Sequence, residues 1–201
     1  FNITKIYGKK KFMILPVRAF GDPVLRQSCS DVDKNDSALK QFLDNMWETM
    51  YNARGVGLAA PQIGKPLRVF LVDSKQIEDD LDGEEGIKQA FINAEITEEY
   101  GEEWMYNEGC LSIPHIREDV SRLDKIKIEF YDEDFVFHEK EYEGISARII
   151  QHEYDHIEGI LFTDHLKPLK KRMLKKKLDD ITKGKVKTDY LMKFPAAKKK
   201  R

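Results

Sequence analysis

The chain has 201 residues, 41% of them hydrophobic, and a formal net charge of -2, which is enough to bury one core and too little to need two. No apolar run approaches the ~20 residues that span a bilayer, and the opening FNITKIYGKKKFMILPV lacks an apolar signal core and a small-residue cleavage site, so the chain reads as soluble, unexported and cytoplasmic. Only two cysteines occur, Cys29 and Cys110, which excludes a disulfide-stapled secreted scaffold and leaves each thiol free for another role.

Residues 1–12 are basic and mixed in character and are set aside as an extension. From residue 36 the apolar series Leu39, Phe42, Leu43, Met46, Trp47, Met50 follows helical spacing, with Asp36 or Ser37 placed to cap it and an end near Arg54, before Gly55. Residues 67–73, 90–96 and 126–131 are rich in β-branched and aromatic residues and predict strands. The acidic, glycine-containing stretch 74–89 predicts a solvent loop with no chemistry. Ile145, Ile149, Ile150 and Ile157, with no internal Gly or Pro, predict a buried helix stopped by Gly159, and a last helix is expected over residues 168–181, beginning at Pro168 and closed by Gly184.

Strands and helices in mixed order, without a βαβ rhythm, predict an α+β fold. The expected arrangement is a compact single domain with mixed or antiparallel sheets around a central helix, and a basic C-terminal helix. Residues 166–201 carry 15 Lys and Arg against three Asp, a local net of +12, while the first 165 residues carry 19 bases against 33 acids. Such a basic end suits an anionic partner, or else is a solvated helix with a tail at residues 185–201.

The central helix contains His152-Glu153-Tyr154-Asp155-His156, an HExxH pattern. Residues i and i+4 share one helical face, so both imidazoles can reach one metal ion with Glu153 beside its open side as general base. A hydrolytic metal needs a third protein ligand. Phe162 stands where a metzincin would carry its third histidine, which leaves Asp164, His165 and Cys110 as candidates. An isolated cysteine is more often a small buried hydrophobe than a ligand. The small-residue loop GVGLAAPQIG at 55–64 offers close backbone approach and one side-chain amide, Gln62, but alone it specifies little.

Together, GVGLAAPQIG (55–64), EGCLSIP (108–114) and QHEYDH (151–156), in that order, resemble the three motifs of peptide deformylases, and GDPVLR (21–26) resembles their N-terminal segment. The resemblance covers residues 13–184, which it implies are the catalytic domain. It implies Cys110, His152 and His156 as metal ligands, Glu153 as general base, and Gln62 and the Leu111 N–H as oxyanion donors. Gly57 matches the glycine that hydrogen-bonds substrate and water, and Val56, Gly109 and Ile149 are expected to contact substrate, with Leu58 a further candidate for an apolar pocket. Implied too are Fe(II) in the cell, with zinc, nickel or cobalt possible in purified protein, and formyl-Met nascent peptides as substrates. The ribosome is the implied partner of the basic end; neither DNA nor a membrane is expected. Two readings compete: a generic HExxH metallopeptidase with Asp164 or His165 as third ligand, and an inactive ribosome-associated binding protein.

Overall fold

The structure, a computed structural model, describes residues 3–7, 10–80 and 85–196. Residues 81–84 of the expected acidic loop, 197–201 of the expected tail and 1, 2, 8 and 9 of the expected extension lie outside the described residues.

Strands β1 (Ile3–Tyr7) and β2 (Lys10–Ile14) form an antiparallel hairpin. After β3 (Val17–Arg18) comes helix α1 (Leu39–Asn52). It starts later than the sequence suggests because Asp36 closes a turn ahead of it, accepting the Ala38 N–H at 2.8 Å, and no side chain caps the helix itself. From α1, Asn45 and Thr49 accept the Met13 and Leu15 N–H groups at 2.9 and 3.0 Å, tying the N-terminal hairpin to the helix.

The main sheet has five strands paired in chain order and all antiparallel: β4 (Gly57–Ala59), β5 (Val69–Asp73), β6 (Lys88–Cys110), β7 (Ile113–Tyr131) and β8 (Phe137–Glu143). Helix α2 (Gly144–Ile157) follows and packs on β4, β5, β7 and β8. Helix α3 (Pro168–Thr182) ends before Gly184, whose φ of +67° suits a glycine. The chain then returns as β9 (Met192–Lys193), parallel to β3. The fold is α+β, with the HExxH helix at its centre, as expected.

Every residue of β5 is buried because both faces of the sheet are covered there. Phe70 and Val72 pack with Ile149 and Ile150 of α2, whereas Val69 and Leu71 pack with Leu43, Met46 and Met50 of α1. Side chains alternate along β4 in the same way. Leu58 therefore joins the α1 layer, and Gly57 and Ala59 face α2. Burying such a leucine contributes about 2 kcal/mol. A third apolar cluster sets Leu174, Leu178 and Ile181 of α3 against Leu25, Ile113 and Phe162.

Two expectations need correction. The strands expected at 90–96 and 126–131 are the inner ends of β6 and β7, a hairpin of 23- and 19-residue arms. Its outer part is held by the backbone ladder and by cross-strand pairs such as Asn107 with Asp119 at 2.8 Å. Nor is the stretch after β5 a featureless loop. Residues Ser74–Asp80 form 3-10 turns, and fully buried Ser74 meets Ser146 Oγ at 3.1 Å and accepts the Ile87 N–H at 2.8 Å. Ile77 reaches the cavity described below, so the segment helps build the site.

Candidate metal centre and cleft

Helix α2 places His152 and His156 one turn apart on one face, both buried, with ring centres 5.2 Å apart and planes nearly perpendicular. Cys110 ends β6, and the β6–β7 hairpin carries it to them: its Sγ lies 3.2 Å from His156 Nε2. One ligating atom from each of Cys110, His152 and His156 falls within 4.8 Å of the other two. The local backbone is irregular. Cys110 pairs with Ile113 across a two-residue turn, but Gly109 pairs with Arg117, so residues 114–116 bulge out of β7 with His115 at a φ of +62°. A bulge of this kind re-aims side chains next to a site.

Glu108 fixes the first imidazole. Its Oε2 accepts from His152 Nδ1 at 2.9 Å, so the proton sits on Nδ1 and Nε2 is left for another partner. The same carboxylate accepts from Arg122 Nε at 2.8 Å and Arg148 Nη1 at 3.0 Å, and Arg122 reaches on to Asp155 at 2.8 Å. Burial pushes the Glu108 carboxyl up, but His152 and Arg122 override it and hold it well below the usual carboxylate range. Phe162 stacks on the His152 ring at 6.1 Å, which gives the residue at the absent histidine's position a packing role.

Burial also raises the Cys110 thiol, yet the His156 and His152 rings bring it down to about 5, favouring the thiolate. Glu153 behaves oppositely: burial lifts it to about 7 against the pull of His152 and His156. Its Oε2 is buried without a hydrogen-bond partner among the described residues, as is Nδ1 of His156. A thiolate and two imidazoles in this compass form a donor set that suits a divalent transition ion, so the residues fit a metal.

Gln62 is held in one orientation. Its Oε1 accepts the Ala59 N–H at 2.8 Å, which turns Nε2 towards Cys110 Sγ at 3.4 Å and Ser112 Oγ at 3.3 Å. Gly57 faces Glu153 so closely that a Cβ there would stand 2.4 Å from Oε1. A cavity of about 620 Å³ opens onto these groups, lined in part by Val56, Ile77, Gly109, Leu111, Ile149 and Tyr190.

Gln62, Gly57, Val56, Gly109, Cys110, Leu111, Ile149, His152 and Glu153 thus border one cavity, with His156 on Cys110. Leu58 does not reach it, because strand alternation turns it into the α1 layer. Asp164 and His165 are engaged elsewhere: Asp164 pairs with Arg26 and accepts the Leu161 N–H at 2.8 Å, and His165 Nε2 meets Asp155 at 2.8 Å. Glu108, Arg122, Arg148 and Tyr190 were not singled out in the sequence. Glu108 had a usable signal, since a ligating histidine wants a carboxylate on its second nitrogen and the residue stands inside the EGCLSIP motif. Tyr190 had none.

A family model described as polypeptide deformylase matches residues 14–172. Peptide deformylase of Christiangramia forsetii is 54% identical over 196 residues, covering 94% of this chain and 100% of the relative. That of Flavobacterium johnsoniae is 53% identical over 196 residues, with the same coverage. Among solved structures, a peptide deformylase from Legionella pneumophila superposes with a TM-score of 0.74 at 37% identity, covering 86% of this chain and 97% of that one. The peptide deformylase of Thermotoga maritima gives a TM-score of 0.68 at 41% identity, covering 77% and 99%.

Proposed function

The chain belongs to the polypeptide deformylase family, and from that premise we propose how its residues divide the work of hydrolysing the N-formyl group of nascent peptides. Cys110, His152 and His156 hold one divalent cation, in a catalytic domain spanning residues 13–184. The observation that carries this is the convergence of their three donor atoms within 4.8 Å. When bound, the cation supplies Lewis acidity, polarising the formyl oxygen and making water easier to deprotonate.

The rest is done by the chain. Glu153, whose carboxyl is lifted by burial to about 7, takes the proton of the attacking water and returns it to the departing amine. As charge grows on the formyl oxygen, Gln62 Nε2 and the Leu111 N–H donate to it, each worth about 3 kcal/mol. The Gln62 amide needs no reorientation, because Ala59 already holds its other end. Gly57 leaves the room that Glu153 occupies, and formate departs with the amine free. Val56, Gly109 and Ile149 bound the part of the cavity that takes the methionine side chain. Burying that chain adds about 2 kcal/mol to transition-state binding.

Formate release from formyl-Met-Ala-Ser, set against formyl-Gly-Ala-Ser and against cleavage of an internal peptide bond, tests the assignment. Strong preference for the formyl-Met peptide is expected; internal cleavage without formate would return the generic metallopeptidase reading. Gly57→Ala is expected to retain metal yet lose about 100-fold in turnover, because the new Cβ must displace the Glu153 carboxylate. Near-normal turnover in that variant would separate Glu153 from the proton transfer.

Fe(II) is the ion we assign in the cell, with zinc, nickel or cobalt accepted by the same donor set in purified protein. We place the enzyme in the cytoplasm, where nascent chains emerge. No helix of the described residues is long and apolar enough to cross a membrane. Helix α3 exposes Lys170, Lys171, Arg172, Lys175, Lys176 and Lys177 beside exposed Leu169 and Met173, a face suited to ribosomal RNA. Truncation is a poor test, since Leu174, Leu178 and Ile181 are core. Replacing Lys171, Lys175 and Lys176 with Glu should abolish ribosome co-sedimentation at low salt, and the parent's binding should fall steeply with salt. Equal sedimentation of both proteins would remove α3 from any ribosome contact.

A further inference from the structure

Tyr190 has no part in the roles above, yet it lines the cavity and its hydroxyl donates to the Leu111 carbonyl at 2.7 Å. Leu111 and Ser112 make the two-residue turn between β6 and β7, and neither takes the left-handed backbone that such tight hairpin turns prefer. A turn of this kind splays its strands unless something outside the hairpin holds it. Here three contacts do: Tyr190 Oη on the Leu111 carbonyl, the Phe20 N–H on the Ser112 carbonyl at 2.9 Å, and Gln62 Nε2 on Ser112 Oγ at 3.3 Å.

The segment that delivers Tyr190 is itself anchored on both sides. The Lys187 carbonyl meets His115 Nε2 at 2.7 Å on the β7 bulge, and Thr188 Oγ1 donates to the Tyr190 carbonyl at 2.9 Å. Beyond it, the Leu191 and Lys193 carbonyls accept the Val17 and Ala19 N–H groups at 2.9 and 3.0 Å. The stretch after α3, read from sequence as the start of a basic tail, therefore reaches the hairpin tip that ends in Cys110 and Leu111.

We propose that Tyr190 is a positioning residue for the oxyanion site: its hydroxyl fixes the Leu111–Ser112 turn and so holds the Leu111 N–H in place beside Cys110. Its hydroxyl bonds the Leu111 carbonyl rather than a donor atom of Cys110, His152 or His156, and so acts through the turn. This rests on the reading of Leu111 as an oxyanion donor, and Gln62, which is the other donor and also braces the turn, tests that reading.

The test is steady-state kinetics of Tyr190→Phe and Gln62→Leu on formyl-Met-Ala-Ser, with metal content and thermal midpoint measured on the same preparations. Tyr190→Phe keeps the ring and removes only the hydroxyl. It should lower kcat about five- to tenfold, the rate equivalent of one hydrogen bond, with KM and metal content unchanged. A raised KM with unaltered kcat would make Tyr190 a mere cavity wall and overturn the proposal. Wild-type kcat in Tyr190→Phe beside a crippled Gln62→Leu would overturn the Tyr190 role alone. Wild-type kcat in Gln62→Leu would remove the oxyanion reading, and this inference with it.

Discussion

Glu153→Ala should keep one metal ion per chain and lose turnover by about 10²- to 10⁴-fold, the usual worth of a positioned proton-transfer group. The two effects separate because Glu153 is not among the three converging donors. Its carboxylate instead packs against Gly57, with Oε2 unpartnered among the described residues. Metal analysis by mass spectrometry alongside formate release measures both quantities. Parallel loss of metal and activity would mean that Glu153 supports binding rather than proton transfer.

Glu108→Gln is expected to damage stability and metal binding together. The carboxylate is buried against His152, Arg122 and Arg148, so the neutral amide leaves charged partners without their counterion. Breaking one side of a buried ionic cluster costs about 3 kcal/mol or more. Arg122 retains Asp155, and Arg148 retains the Val120 and Trp104 carbonyls, which argues for the lower end of that range. For a chain of this size the thermal midpoint should fall by about 6–12 °C. Metal affinity should fall about 10- to 100-fold, because His152 loses the charged acceptor that sets its tautomer and aim. Unchanged metal affinity in a folded Glu108→Gln protein would show that the ring is oriented by packing, on Phe162 for example, and not by the carboxylate.

The features legible in the sequence share one property: the information is local. Residues 145–157 announce a buried helix through isoleucine spacing, and that helix alone puts His152 and His156 on one face. Helix α1 and the glycine at the end of α3 were readable for the same reason. The third member of the converging donor set was not. Cys110 lies 46 residues from His156, and only the resemblance of its motif to a family chose it over Asp164 and His165. Composition cannot reveal that those two side chains are engaged by Arg26 and Asp155.

Non-local pairing hides the remainder. The outer part of the β6–β7 hairpin is rich in charges of both signs and interrupted by register shifts, so no clean apolar alternation marks it, and its register depends on pairs such as Asn107 with Asp119. Arg122 and Arg148 read as ordinary charged residues until the hairpin and α2 bring them to Glu108. Leu58 illustrates the converse. Its place beside a functional loop suggested a pocket residue, and the strand's period of two sent it to the opposite face.

The claim on which the whole account stands is that Cys110 joins His152 and His156 on one metal ion. Replacing the metal with cobalt(II) and recording the near-ultraviolet absorption tests it most directly, since a thiolate ligand gives a charge-transfer band that nitrogen and oxygen ligands do not. The band should be present at one equivalent of cobalt in the parent protein and absent from Cys110→Ser, whose metal affinity should also fall. A cobalt protein that deformylates without the band, or a Cys110→Ser protein that keeps it, would contradict the assignment.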